Sequence, residues 1–120
     1  MELLQMESSR LELYRDGRLE VDFRSKAAAL DSAPVHLTPL EFALLATLAR
    51  RAGDIVSREA LMRDIWGYGP EIRTRTMDVH LRRLRTKLGN YGRHIETVFG
   101  LGYRLQPWLV QVPLCQAAGA

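Results

Sequence analysis

The sequence predicts a single α+β domain: a small N-terminal antiparallel sheet, three helices and a closing β-hairpin. Three observations carry that expectation. Short stretches with period-two alternation open the chain, including Leu11, Leu13 and then Leu19, Val21 and Phe23. A T-x-x-E motif at Thr38–Glu41 starts a strong helical pattern. Between Arg73 and Gly89 the apolar residues Met77, Leu81, Leu84 and Leu88 recur at i, i+4, i+7 and i+11, the seam of an amphipathic helix.

At 120 residues with 47% hydrophobic content, the chain has room for one core. Residues 1–9 carry no usable signal and are read as a linker or expression remnant. The domain is expected over 10–107. Four strand-like pieces follow one another at 10–14, 19–23, 27–30 and 35–37, with Asp16-Gly17 as a hairpin-turn dipeptide between the first two. Ala27 to Ala29 is weak for β structure, so the third strand is the least well supported.

Thr38 is placed to cap the first helix, Pro39 to occupy its first position and Glu41 to complete a capping box. Leu37 and Phe42 are spaced for a hydrophobic staple. Leu40, Leu44, Leu45, Leu48 and Ala49 form the apolar face, and Gly53 is placed to end the helix. Ile55-Val56 reads as an extended link. Ser57 caps a second helix running to about Trp66, with Ala60, Leu61, Ile65 and Trp66 inward. Gly67 to Pro70 breaks it, and the connection 67–73 is long for a helix-turn-helix.

The third helix is expected over 74–88, with Thr74 as its cap. Opposite its apolar seam lie Arg75, Val79, Arg82, Arg83 and Thr86, with Arg85 on one flank and His80 and Lys87 on the other. Six Arg/Lys stand between 73 and 87 against Asp78 alone, a local +5 in a chain whose net charge is only +3. The remainder therefore sums to about −2. Charge so concentrated asks for an anion, and a duplex major groove admits a helix whose arginines reach guanine edges or phosphates. A merely solvated basic face is the bland alternative. Asp78 is read as the i, i+4 partner of Arg82.

Residues 95–105 alternate β-branched and aromatic residues around Gly100-Leu101-Gly102, a β-hairpin. Tyr103 and Val98 are expected on the core, Thr97 and the tip outward. The two glycines make no dinucleotide fingerprint, because Leu105 stands where a third would be needed. Residues 108–120 form an apolar tail, with Trp108, Val110 and Val112 able to extend an edge strand or fill a partner groove and a disordered end preferred.

The order of sheet, helix, helix, long loop, basic helix and hairpin is that of a winged helix-turn-helix. Residues 35–105 also closely resemble the effector domain of the OmpR/PhoB family of response regulators. The resemblance rests on LTPLEF at 37–42, SREAL at 57–61, Trp66-Gly67, RTMDVHLRRLRTKL at 75–88, IETV at 95–98 and GLGYR at 100–104. It implies a four-stranded N-terminal sheet, a recognition helix at 74–88 in the major groove and a wing at 95–105 on the adjacent backbone or minor groove. Arg75, Arg82, Arg83 and Arg85 match positions that contact phosphates or bases, Thr76 and Val79 positions for backbone and thymine-methyl contacts, and Thr97 a backbone contact from the wing. Thr86 and Arg104, the cation after the wing tip, complete the expected DNA-binding set. Glu59, Trp66, Gly67 and, within the same loop, Ile72 are the expected RNA polymerase contacts. Many members have an arginine before the first wing glycine. Here it is Phe99.

The expected function is sequence-specific binding of double-stranded DNA for transcription regulation, as the output domain of a two-component phosphorelay regulator. Partners implied are duplex DNA in direct repeats, a second copy bound head-to-tail with weak dimerisation in solution, RNA polymerase, and a receiver domain in the full-length protein, of which this chain is expected to be an excised fragment. The rival class is a winged helix that serves as a protein-interaction module. No nucleophile–base pair, paired carboxylates or phosphate loop is read, so no enzyme and no cofactor are expected. His80 and His94 lack metal-ligand spacing and are read as surface or backbone-bonding residues, and His36 lies in a strand without a partner. A lone Cys115, no signal peptide and no apolar run near ~20 residues point to the cytoplasm and away from the membrane.

Overall fold

The computed structural model describes residues 12–65 and 74–108, with the side chains at 74–76 excepted. The expectations for residues 1–11, for the loop 67–73 and for the tail beyond Trp108 lie outside the described residues.

Four strands form an antiparallel meander in the order of the chain: β1 (Leu13–Arg15), β2 (Leu19–Asp22), β3 (Ala27–Leu30) and β4 (Ala33–Val35). Alternation along β2 buries Leu19 and Val21 and exposes Glu20, so one face only meets the core. The alanine-rich β3 is a strand because β2 and β4 pair with it on both edges, Leu19 opposite Leu30 and Ala28 opposite Val35. Pairing overrides its weak propensity. The fourth strand lies at 33–35, not 35–37. Asp31 and Ser32 both take left-handed conformations, φ +52° and +69°, and this two-residue turn sets Leu30 against Ala33 at once. Leu37 then falls in the link to the first helix, partly buried against the core.

Asp16 does far more than turn a hairpin. Its side chain is 2% exposed and accepts from the backbone N–H of Arg18 (3.0 Å) and Leu19 (2.9 Å). The Tyr14 hydroxyl (2.8 Å), the Tyr91 hydroxyl and the backbone N–H of Trp108 (3.0 Å) donate to its second oxygen. Burial pushes the carboxyl up, but the Tyr91 hydroxyl and the three backbone donors outweigh it and hold the group below the usual carboxylate range. Burial and the neighbouring Asp16 push both tyrosine hydroxyls far up, so they remain donors. Trp108, assigned to the tail by sequence, belongs to this cluster: Arg18 lies 5.1 Å from its ring centroid and His94 packs tilted against it.

Helix α1 (Pro39–Arg50) begins with the capping box the sequence encodes: Thr38 Oγ1 accepts from the Glu41 N–H (3.1 Å) and Glu41 Oε1 from the Thr38 N–H (3.0 Å). Its burial is wider than the expected face. Every residue from Glu41 to Ala49 is buried, because α2 (Arg58–Ile65), α3 (Thr74–Lys87) and the hairpin strand β6 (Gly102–Leu105) all pack around it. Small residues at Ala43, Ala46 and Ala49 allow that close approach. Glu41, 1% exposed, also receives the Lys87 ammonium from the end of α3 at 2.6 Å. Burial raises its pKa, and the stronger combined pull of Lys87 and Thr38 brings it below normal.

Ser57 caps α2 by accepting from the Ala60 N–H at 3.0 Å. A 3-10 turn (Gly89–His94) follows α3 and delivers the chain to β5 (Ile95–Val98), which pairs with β6, Ile95 opposite Leu105. In that turn Gly92 is obligatory, since a Cβ there would lie 2.4 Å from the Arg85 carbonyl oxygen.

Asp16→Ala leaves five donors without their acceptor and is expected to cost about 2–4 kcal/mol in urea unfolding. A carboxylate depressed in the folded state stabilises above its unfolded pKa, about 4, and loses that contribution as pH falls through the folded value. The stability gap between the wild type and Asp16→Asn is therefore expected to narrow in acid. A gap that stays constant from neutral pH into the acid range would contradict this account.

Candidate nucleic-acid interface

The apolar seam of α3 lies where its spacing predicts. Met77, Leu81, Leu84 and Leu88 are each 0–1% exposed. Their burial fixes the rotation of the helix and turns Arg82, Arg83 and Thr86 to solvent, with Val79 half-buried beside them. Thr86 Oγ1 donates back to the Arg82 carbonyl at 3.0 Å, the usual exposed-threonine bond within a helix. Arg82 and Arg83 are both exposed, and neither guanidinium has an ion-pair or hydrogen-bond partner among the described residues. Arg75 and Thr76 lie on the first turn of the same helix, and their side chains are outside the described set.

Asp78 corrects the sequence reading. Its partner is not Arg82. Asp78 Oδ2 accepts from Arg58 Nη2 at 3.0 Å and Oδ1 from the Tyr103 hydroxyl at 2.7 Å, while Arg58 Nη1 donates to the Tyr103 oxygen at 2.7 Å. Three elements close this ring: the start of α2, the first half of α3 and the hairpin. Two donors convergent from neighbouring elements outcompete one flexible, exposed side chain a helical turn away. Burial raises the Asp78 carboxyl, and Tyr103, Arg58 and the more distant Arg82 together bring it below normal.

Arg85 and Thr97, both expected at DNA, are bonded to each other. Arg85 Nε donates to the Ile95 carbonyl at 2.9 Å and Nη2 to Thr97 Oγ1 at 2.8 Å, tying α3 to β5. Burial draws the Arg85 pKa down, against the opposing pull of Tyr103 and Asp78, and the group remains a cation. Thr97 is exposed and, as an acceptor from Arg85, keeps its own proton to donate outward. Arg104 pairs across the hairpin with Glu96 at 2.8 Å, which neutralises much of its charge. Glu59 stands exposed on the first turn of α2. Trp66, Gly67 and Ile72 fall outside the described residues.

The hairpin is joined to the helices by a feature absent from the sequence reading. Val56, in the extended link, pairs with Tyr103 through reciprocal backbone bonds of 2.7 and 2.9 Å. Gly102 makes the approach feasible: at φ +146° it leaves no space for a side chain, since a Cβ would stand 2.1 Å from the Val56 carbonyl oxygen. Tyr103 is buried and Val98 half-buried as expected, and the tip points outward. Between α2, α3 and the hairpin lies a concavity of about 1080 Å³ lined by Arg58, Arg63, Arg82, Arg85 and Thr97 among others. No local pattern marks Arg58 for this site, because its relation to Asp78 and Tyr103 spans 20 and 45 residues.

His94 bonds backbone as the sequence predicts, with Nδ1 2.7 Å from the Gln106 carbonyl, and stacks on Tyr91. His80 is half-buried, and its Nδ1 has no partner among the described residues. Among those residues no cluster of His, Cys, Asp or Glu is arranged to hold a metal, and no helix is long and apolar enough to cross a membrane.

Residues 32–105 match the family described as "Transcriptional regulatory protein, C terminal". The chain is 43% identical over 90 residues to the transcriptional regulatory protein CseB of Streptomyces coelicolor, covering 75% of this chain and 38% of CseB. It is 33% identical over 108 residues to the DNA-binding response regulator MtrA of Mycolicibacterium smegmatis, covering 88% of this chain and 47% of MtrA. It thus spans less than half the length of these curated relatives. Among solved structures, the OmpR/PhoB homologue DrrB of Thermotoga maritima superposes with a TM-score of 0.72 at 29% identity, over 88% of this chain and 52% of DrrB. The DNA-binding domain of RstA from Klebsiella pneumoniae, solved in complex with the RstA box, superposes at 0.69 with 32% identity, over 80% of this chain and 98% of that domain.

Gly102→Ala is expected to unseat the hairpin from Val56 and cost about 2 kcal/mol or more, as a strained backbone and an overlap combine. Amide hydrogen exchange reads the change directly. Faster exchange confined to β5, β6 and Val56 is the expected result, and unchanged protection there would refute the close-approach account.

Proposed function

This chain belongs to the family of transcriptional regulatory protein C-terminal domains, the winged-helix DNA-binding effector domains of OmpR/PhoB-type response regulators, and we propose that it reads double-stranded DNA sequence-specifically with α3 in the major groove. One observation carries the reading. Arg82 and Arg83 are turned outward on a helix whose opposite face is locked into the core, and neither has a partner among the described residues. Two such arginines on a convex helix suit guanine edges and phosphates, and the helix diameter suits the groove. Arg75, Thr76, Val79 and Thr86 complete the base- and backbone-facing set on the same helix.

The wing serves the adjacent backbone. Thr97, polarised by Arg85, donates its hydroxyl proton to a phosphate, and Arg85 adds its charge behind it. In this reading Arg85 positions Thr97 and is a secondary phosphate cation, and Arg104, shared with Glu96, contributes least. The chain acts as a binder, not as an enzyme, and works where the chromosome lies, in the cytoplasm. It is the output half of a longer regulator whose receiver domain governs pairing. Two copies bind direct repeats head-to-tail, and each half-site buries about 600–1,000 Å², so a single copy binds weakly. Glu59 on α2 is the residue of the described set offered to RNA polymerase, and Trp66, Gly67 and Ile72 follow it in the sequence as its proposed companions.

Selection from a random duplex library at low and moderate salt tests the reading. An enriched motif, in tandem direct repeat, is expected, with log affinity falling by about 0.9 per decade of salt for each phosphate neutralised. Arg82→Ala or Arg83→Ala is expected to cost about 1–3 kcal/mol and to flatten preference at one base pair where the residue reads an edge. Unchanged affinity and preference in both variants would overturn the docking, and binding of an acidic protein with no duplex binding would favour an interaction module instead.

A further inference from the structure

Helix α3 carries one acid, Asp78, among the five Arg/Lys residues Arg75, Arg82, Arg83, Arg85 and Lys87. Asp78 stands four residues before Arg82, the spacing and order at which opposite charges pair along a helix. Such a pair would tie Arg82 to its own helix. A base edge or a phosphate would then have to displace a carboxylate before it could bind. Yet Arg82 has no partner among the described residues, while Asp78 has two from outside the helix.

The Val56–Tyr103 bridge explains how Asp78 is drawn off. It lays the extended link beside β6, and Arg58 follows Val56 by two residues. The Arg58 guanidinium therefore stands at Tyr103, 5.7 Å from the ring centroid and bonded to the hydroxyl oxygen at 2.7 Å. Together the two side chains meet Asp78, one at each carboxylate oxygen. Arg58 and Asp78 remain 41% and 43% exposed, so their ion pair adds little stability. Its larger effect is on which cation the carboxylate holds.

We propose that Arg58 and Tyr103 are positioning residues for DNA recognition, which engage Asp78 and thereby keep Arg82 available to the duplex. The role rests on the docking of α3 in the major groove and extends it. It gives α2 and the hairpin a part in reading that needs no contact between Arg58 or Tyr103 and DNA. With both holders removed, Asp78 turns to Arg82, and the buried seam of the helix is untouched.

The test compares the affinity lost on Arg82→Ala in two backgrounds, the wild-type 120-residue chain and Arg58→Met/Tyr103→Phe, on the duplex motif enriched by selection. Both background substitutions keep side-chain bulk, and should the pair unfold the chain, Arg58→Met alone carries the same comparison. The loss is expected to be about twofold smaller in the double variant, the strength of one i, i+4 pair. Adding Asp78→Asn is expected to restore the full loss. A merely structural ring would show no such rescue, because Asp78→Asn removes its centre rather than rebuilding it. In the free chain the Arg82 Nε–H signal in NMR is expected to exchange more slowly with water in the double variant, and to recover with Asp78→Asn.

An Arg82→Ala loss as large in the double variant as in the wild type overturns the role. So does a smaller loss that Asp78→Asn fails to restore, or an Arg82 signal unchanged between backgrounds. A wild type that enriches a motif but loses nothing on Arg82→Ala also overturns it and leaves the rest of the α3 reading intact. A wild type that enriches no motif removes the α3 reading, and the positioning role with it.

Discussion

The burial of one helical seam organises this domain. Met77, Leu81, Leu84 and Leu88 are removed almost completely from water against α1 and its neighbours, each contributing about 1.5–3 kcal/mol of hydrophobic stabilisation. A seam so fully engaged leaves the helix no freedom to roll. The outward direction of Arg82 and Arg83 is therefore a consequence of core packing and needs no contact of their own. The proposed binding surface and the core are two faces of the same 14-residue element.

Polar clamps then fix where that helix sits relative to its surroundings. Lys87 reaches the buried Glu41 at the start of α1, Asp78 gathers Arg58 and Tyr103, and Arg85 holds Thr97 and the Ile95 carbonyl. Partly buried ion pairs such as these add little net stability, since desolvation offsets much of their attraction. Their directional geometry is their contribution. They set the helix and the wing at one mutual orientation. Asp16 does the same for the N-terminal sheet, tying it to Tyr91 and Trp108.

Cationic side chains in this domain divide into two kinds. Arg58, Arg85 and Arg104 are held by internal acceptors, and Arg82 and Arg83 are held by none among the described residues. Family resemblance alone places Arg85 alongside Arg82 as an equivalent contact. Geometry separates them into a brace and two outward-facing cations.

Sequence by itself determined whatever depends on neighbours within a turn or two. The capping box at Thr38–Glu41, the α3 seam, the outward arginines and the hairpin at 95–105 are written in spacing, because helix and strand periodicity act over a few residues. Tertiary structure alone decided the rest. The two-residue turn at Asp31-Ser32 moved β4 by two positions, since its pair of left-handed residues has no strong local signature. Asp78 turned from Arg82 to Arg58 and Tyr103, Asp16 became a buried acceptor for five donors, and Val56 joined the wing. The partners that local spacing misses, Arg58 and Tyr103 for Asp78, Tyr91 and Trp108 for Asp16 and Val56 for Tyr103, lie tens of residues away in the chain, and the choice among acceptors is made by which elements the core brings together, a constraint no local pattern contains.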